Sequence, residues 1–179
     1  MSTNGTSTPN GTPTPNGTPT PNGTPTPNGT PADQGRETMR EARDRYFREN
    51  GFGEDGGYGA AWVDFKLGPI PMPFPNTPGR VRAVRYHDLH HVLTGYATDT
   101  RSEFEISAYE VGVGCGSFYT AWAINLSGMT AGLLSVPRRT YRAFVRGRHS
   151  RSLYLEPFEP LLEERVGEAR RARVAESPD

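Results

Sequence analysis

The chain has 179 residues, and its 20 Lys+Arg and 20 Asp+Glu give a formal net charge of +0. That length fits one domain with extensions, and the charge balance removes any whole-chain argument for nucleic-acid or membrane binding. The single cysteine, Cys115, excludes an intramolecular disulfide and a cysteine-based zinc centre. Histidine and carboxylate must therefore hold any metal, a donor set that suits Zn²⁺, Fe²⁺ or Mn²⁺. No basic segment followed by an apolar one marks a secretory signal, so the expected address is cytoplasmic. Lys66 is the only lysine; so strong an arginine bias reflects GC-rich coding and points to a bacterial source.

Residues 1–34 read as a disordered low-complexity tail. From Asn10 the unit Asn-Gly-Thr-Pro-Thr-Pro repeats without an apolar face, so it has nothing to bury against the entropy of ordering. A helical domain is expected over 35–173 and a flexible C-terminus over 174–179. Met39, Ala42, Tyr46 and Phe47 share one face of an amphipathic helix that Asn50-Gly51 ends. Residues 51–80 form a long loop rich in glycine and proline, with apolar Trp62, Phe65, Leu67, Ile70, Met72 and Phe74. Loops of that length are often functional; two roles fit, closing over a site or lying at a membrane surface.

A helix over 81–94 ends at Gly95, and Glu103 opens the next helical segment. No charged residue occurs between Val111 and Val136, a stretch longer than the ~20 residues a spanning helix needs. Its glycines and Asn125 favour a buried domain helix, or two helices broken at Ser127-Gly128, over a true span. The spacings Gly112/Gly116 and Gly128/Gly132 permit close helix approach. Arg138, Arg139, Arg142, Arg146, Arg148 and Arg151 follow with no acid among them. They read either as a surface for anionic headgroups or as a solvated helix face. Glu156 to about Arg173 reads as one acidic-then-basic helix. No strand-like alternation stands out, so the fold is expected to be all-α, a compact multi-helix domain.

The chemistry concentrates in His87-Asp88-Leu89-His90-His91. At about 100° per residue, with His87 at zero, Asp88 falls near 100°, His91 near 40° and His90 near 300°. His87, Asp88 and His91 thus share one arc, and His90 lies outside it. Imidazoles at i and i+4 form a helical metal chelate, although such pairs also occur as satisfied packing residues. A following antiparallel helix would bring the Glu103 carboxylate back across the pair. Glu110 lies near the Glu103 face as a backing partner or base, and Glu105 points away. His87, Asp88, His91 and Glu103 are the candidate ligands, through which any catalysis would run; Asp88 reads either as a ligand, as a surface acid or as a group that orients an imidazole from behind.

His87-Asp88-x-x-His91, eleven intervening residues and then Glu103, with Gly95 four after His91, resembles the signature of the Coq4 family of ubiquinone-biosynthesis proteins. Phe74-Pro75-Asn76-Thr77 and His87 to Thr100 are similar to bacterial members, and the likeness runs over roughly residues 50–150. Ser102 stands where members often carry glycine, and serine is a good N-cap. The resemblance implies a mostly helical protein holding zinc on His87, Asp88, His91 and Glu103. It further implies binding of a prenylated quinone precursor or another isoprenoid lipid, peripheral attachment to the inner membrane, and a homodimer or a biosynthetic complex. The implied activity replaces the ring carboxyl of a polyprenyl-hydroxybenzoate by hydroxyl; the alternative is a lipid-binding scaffold with a structural metal. A phosphohydrolase of the His-Asp type needs an earlier histidine, and His87 is the first in the chain. A di-iron centre needs a second such pair, and only a dimer would supply it.

Overall fold

Seven helices carry the fold among the residues described by this computed structural model, which are 35–63, 66–67, 70–71 and 74–177. The fold is all-α. The low-complexity tail lies outside the described residues.

Helix α1 (Met39–Asn50) starts on a capping box: Thr38 Oγ1 accepts from the Glu41 N–H, and Glu41 returns to the Thr38 N–H. Gly51, at φ 70, ends it. Met39, Ala42 and Phe47 are buried as the periodicity requires, and Tyr46 stays at the edge of the core.

The loop that follows contains four two-residue strands, β1 (Trp62–Val63), β2 (Lys66–Leu67), β3 (Ile70–Pro71) and β4 (Phe74–Pro75). β1 pairs antiparallel with β4, and β2 with β3. Strands this short carry no readable alternation, and no residue pattern announces them. Of the loop's apolar side chains, Trp62 is exposed; those of Phe65, Leu67, Ile70, Met72 and Phe74 lie outside the description. Asn76 pins the loop base, its side-chain amide donating to the carbonyls of Gly57, Tyr58 and Ala60.

Helix α2 (Pro78–Thr94) starts a turn earlier than the expected 81, because Thr77 caps the Arg80 N–H and Pro78 takes the first helical position. It stops at Gly95, φ 77, whose N–H donates to the His91 carbonyl at 2.9 Å. Helix α3 (Thr100–Val113) is capped by Asp99, whose carboxylate accepts from the N–H groups of Arg101 and Ser102. Ser102 is therefore inside the first turn, where its hydroxyl donates to Asp99 Oδ2 at 2.6 Å; it is not the cap that serine suggested.

The charge-free stretch divides differently from either expectation. It ends α3, turns through Gly114–Phe118, and then forms a single helix α4 (Tyr119–Ser135) that runs unbroken through Ser127-Gly128. Nor is α4 buried: only Ala121, Asn125 and Gly132 are, whereas Tyr119, Ile124, Leu126, Leu133 and Leu134 are exposed. Among the described residues no helix is long and apolar enough to cross a membrane. Pro137 opens α5 (Pro137–Arg148).

Glycines let α4 and α5 close on α3. A Cβ on Gly112 would strike the Phe144 carbonyl, one on Gly147 the Tyr109 carbonyl, and one on Gly128 the Ser107 side chain. Gly132 likewise lies against Thr140 and Phe104, whereas Gly116 sits in the turn beside Leu155. The arginines of α5 disperse: Arg139 pairs with Glu105 at 2.6 Å, and Arg146 donates to the carbonyls of Ala175 and Thr94.

The expected helix from Glu156 to Arg173 is two, α6 (Phe158–Glu163) and α7 (Val166–Arg173), after a 3₁₀ turn at Leu153–Leu155. The break has a hydrogen-bonding cause. Met39 N–H donates to the Glu164 carbonyl at 2.8 Å and Val166 N–H to that of Glu37 at 3.0 Å. The chain entering α1 thus takes the backbone groups a continuous helix would have used. Arg173 clamps both sides of the break through Glu156 and Glu164.

Candidate metal centre

Helices α2 and α3 place His87, His91 and Glu103 so that one donor atom of each lies within 4.8 Å of the others. His87 Nε2 is 3.1 Å from His91 Nε2. Glu103 spans the pair, with Oε2 at 3.6 Å from His87 Nε2 and Oε1 at 3.4 Å from His91 Nε2. A tetrahedral ion with bonds of ~2.0–2.1 Å has donor–donor edges of roughly 3.3 Å, which these separations bracket. The donors therefore fit a divalent ion.

The tautomers sharpen that fit. His87 Nδ1 faces Glu110 Oε1 at 3.1 Å, and His91 Nδ1 faces the Tyr96 carbonyl at 2.9 Å. Both acceptors call for a proton on Nδ1, so in the neutral rings both Nε2 lone pairs point into the same small space. Two lone pairs at 3.1 Å beside a carboxylate repel unless a cation lies among them. In the bare protein a proton takes that part. Burial lowers His87, but Glu110 and Glu103 outweigh it and hold the ring well above its ordinary 6.5. Burial and the neighbouring His87 charge bring His91 down to about 4. Burial lifts Glu103, but the two imidazoles more than reverse this and leave it below its ordinary value.

Asp88, expected as a ligand, stands outside this cluster. Its Oδ2 accepts from the Tyr58 hydroxyl at 2.5 Å, and burial raises it to about 7. On the helix it is a quarter-turn from His87, and the 51–80 loop reaches in to claim it. The structure thus brings together three of the four residues and gives the fourth to the loop.

Glu110 is buried completely and backs the centre. Its Oε1 faces the Nδ1 atoms of both His87 (3.1 Å) and His90 (2.8 Å). Its Oε2 accepts from the Tyr154 hydroxyl at 2.8 Å and from the Asn125 amide. Burial would raise this carboxyl, but His87 and His90 hold it well below the usual carboxylate range. His90 therefore lies on the core side, as part of this network and apart from the cluster, and Glu105 points away to Arg139. Carboxylates behind ligating imidazoles fix their tautomer and raise their basicity.

Sequence reasoning missed Tyr58, Tyr96, Tyr154 and Tyr46, which stacks on His91 at 5.3 Å between centroids. Asn125 carried a usable signal, a lone amide in an uncharged apolar run. The centre opens on one side: the Glu103 side chain is 40% exposed and His87 20%, against 1% for His91. Compared with family models, curated proteins and solved structures, the chain finds no match. Fold and cluster together define a small all-α protein with two imidazoles and a carboxylate converging on one point.

Proposed function

We propose that the protein is a Coq4-like metal protein of prenylquinone biosynthesis, binding one divalent ion, zinc by the resemblance, on His87, His91 and Glu103. The observation that carries this reading is the convergence of the Nε2 atoms of His87 and His91 and one carboxylate at 3.1–3.6 Å. Three protein ligands with a fourth position open are the pattern of catalytic zinc, whereas structural zinc sites are closed by four. That count supports an enzyme over a scaffold. A divalent ion held there supplies a Lewis acid for a carboxylate or phenolate oxygen, and the exposed Glu103 side gives such an oxygen its approach.

The proposed reaction is the oxidative decarboxylation of a polyprenyl-hydroxybenzoate. Replacing the ring carboxyl by hydroxyl releases carbon dioxide and removes two electrons, so a co-reactant of the class of dioxygen must accept them. The chain's own part is to hold the ion and to keep both imidazoles in one tautomer through Glu110 and Tyr96. Complementation of a strain lacking the ring-decarboxylating step tests the reading. Rescue by the native chain and not by Glu103→Ala is the expected result. No rescue by a folded, metal-loaded chain would leave the metal centre standing and remove the proposed reaction.

A further inference from the structure

The last carbonyls of α2 hold two arginines that arrive from different helices. Arg170 of α7 donates from Nε to the Leu93 carbonyl at 2.7 Å and from Nη2 to that of Val92 at 3.0 Å. Arg146 of α5 donates from Nη1 to the Thr94 carbonyl at 3.3 Å and from Nε to that of Ala175 at 2.9 Å. Its guanidinium also lies 5.4 Å from the centre of the Tyr96 ring. These carbonyls fix both forks and cap the helix end, yet they oppose two full charges with only a partial one. Desolvation, and then the charge of Arg146, holds the Arg170 guanidinium below its ordinary value, so the two cations feel one another. Among the described residues neither of them, nor Arg171 beside them, pairs with a carboxylate.

The three arginines line one cleft of about 370 Å³, together with Val174, Ala175 and Glu176. That is room for a small molecule. Three guanidiniums face one carboxylate there, and Glu176, exposed at the rim, is bonded to none of them. Helix capping uses Nε and one terminal nitrogen of each fork, which leaves Arg146 Nη2 and Arg170 Nη1 without a protein acceptor. Arg171 makes no hydrogen bond to the protein and is not needed for the cap. Donors fixed on two helices, with an excess of two positive charges, call for an anion that offers oxygens in several directions and carries more than one charge. A phosphate group meets both demands, whereas a carboxylate is planar and singly charged. Val174 and Ala175 give the cleft an apolar wall, which an organic substituent on that phosphate would cover.

We infer that the cleft between α5 and α7 binds a soluble phosphate or phosphate monoester on Arg146, Arg170 and Arg171. This stands independently of the metal reading. In the test, the full-length chain is titrated calorimetrically with inorganic phosphate at fixed ionic strength, in chelator so that no metal ion takes up the anion. Saturable binding of one phosphate per chain is expected, with competition by sulfate and little by acetate. Arg170→Gln should weaken it by ~10-fold or more, the loss of a hydrogen bond between charged groups. Because Arg170 also caps α2, the deciding variant is Arg171→Gln, which breaks no hydrogen bond of the protein. It should weaken binding by about 3-fold or more with an unchanged circular-dichroism melt, and Glu176→Gln, which removes the opposing charge, should tighten it. No saturable binding, equal affinity for acetate, or indifference to Arg171→Gln would overturn the inference. So would binding to vesicles of phosphatidic acid with no affinity for free phosphate, which would make the cleft part of a lipid-facing surface.

Discussion

His87 and His91 aim their Nε2 atoms at each other across 3.1 Å while each Nδ1 is already committed, to Glu110 and to the Tyr96 carbonyl. One turn of α2 sets the rings at that separation, and the acceptors behind them set which nitrogen is left open. The site's chemistry follows from this pair and from Glu103, which closes the third corner.

Binding of a divalent ion is expected to release about one proton at pH 7, because an ion must displace the proton that the pair shares. Glu110 and Glu103 keep His87 charged in the bare protein, while His91, at about 4, is neutral. Titration calorimetry with zinc in buffers of differing ionisation enthalpy measures the number directly. Release of no proton would mean that the rings are both neutral before binding.

Glu110→Gln is expected to destabilise the fold by about 3 kcal/mol or more, the usual loss when one partner of a buried ion pair is removed. Glutamine also turns an N–H₂ toward donors, since Asn125 and Tyr154 both donate to this side chain. Urea denaturation of native and variant protein gives the difference. A loss under 1 kcal/mol would show that the network is not a unit.

The acid limb of stability has a sign that can be worked out for the metal-free chain. His91, lowered to about 4, loses its contribution as pH falls from 6.5 toward 4. Asp88, raised to about 7, acts oppositely: its folded form binds a proton more readily than the ordinary 3.8, so stability rises as pH falls from 7. Glu110 lies below its ordinary 4.5, so its contribution is complete above that value and is lost as pH drops beneath it. The expected profile is shallow between pH 7 and 4.5 and steep below. Denaturation in chelator at pH 7, 5.5 and 4 checks this, and a steep loss above pH 5 would contradict it.

Gly147→Ala is expected to destabilise by ~1–3 kcal/mol or more, because overpacking at a close contact forces the backbone apart. The new methyl would meet the Tyr109 carbonyl, next to Glu110 on α3. The variant should therefore also bind metal more weakly, whereas Gly95→Ala, in open space but at φ 77, strains only the α2 cap. Thermal melts with and without zinc distinguish the two.

The sequence showed most where local rules decide. Thr38 to Gly51 carries a cap, an apolar stripe and a left-handed stop, and α1 follows them. The histidine spacing announced that His87 and His91 share a face, and Gly95 announced the turn that brings Glu103 back. It showed least where distant backbone decides. The break at Glu164 depends on Glu37 and Met39, and no local pattern reveals it. Asp88 had the right helical angle for a ligand, but Tyr58, thirty residues earlier in an irregular loop, holds it. The uncharged stretch read as interior, and yet much of α4 faces outward; absence of charge does not distinguish a core helix from one awaiting a partner.

Elemental analysis of the purified chain and of two variants tests the metal centre most directly. The native protein should carry about one divalent ion per chain, and His91→Ala and Glu103→Ala should carry almost none while remaining folded. A native chain without metal after incubation with zinc, or full occupancy in both variants, would contradict the centre.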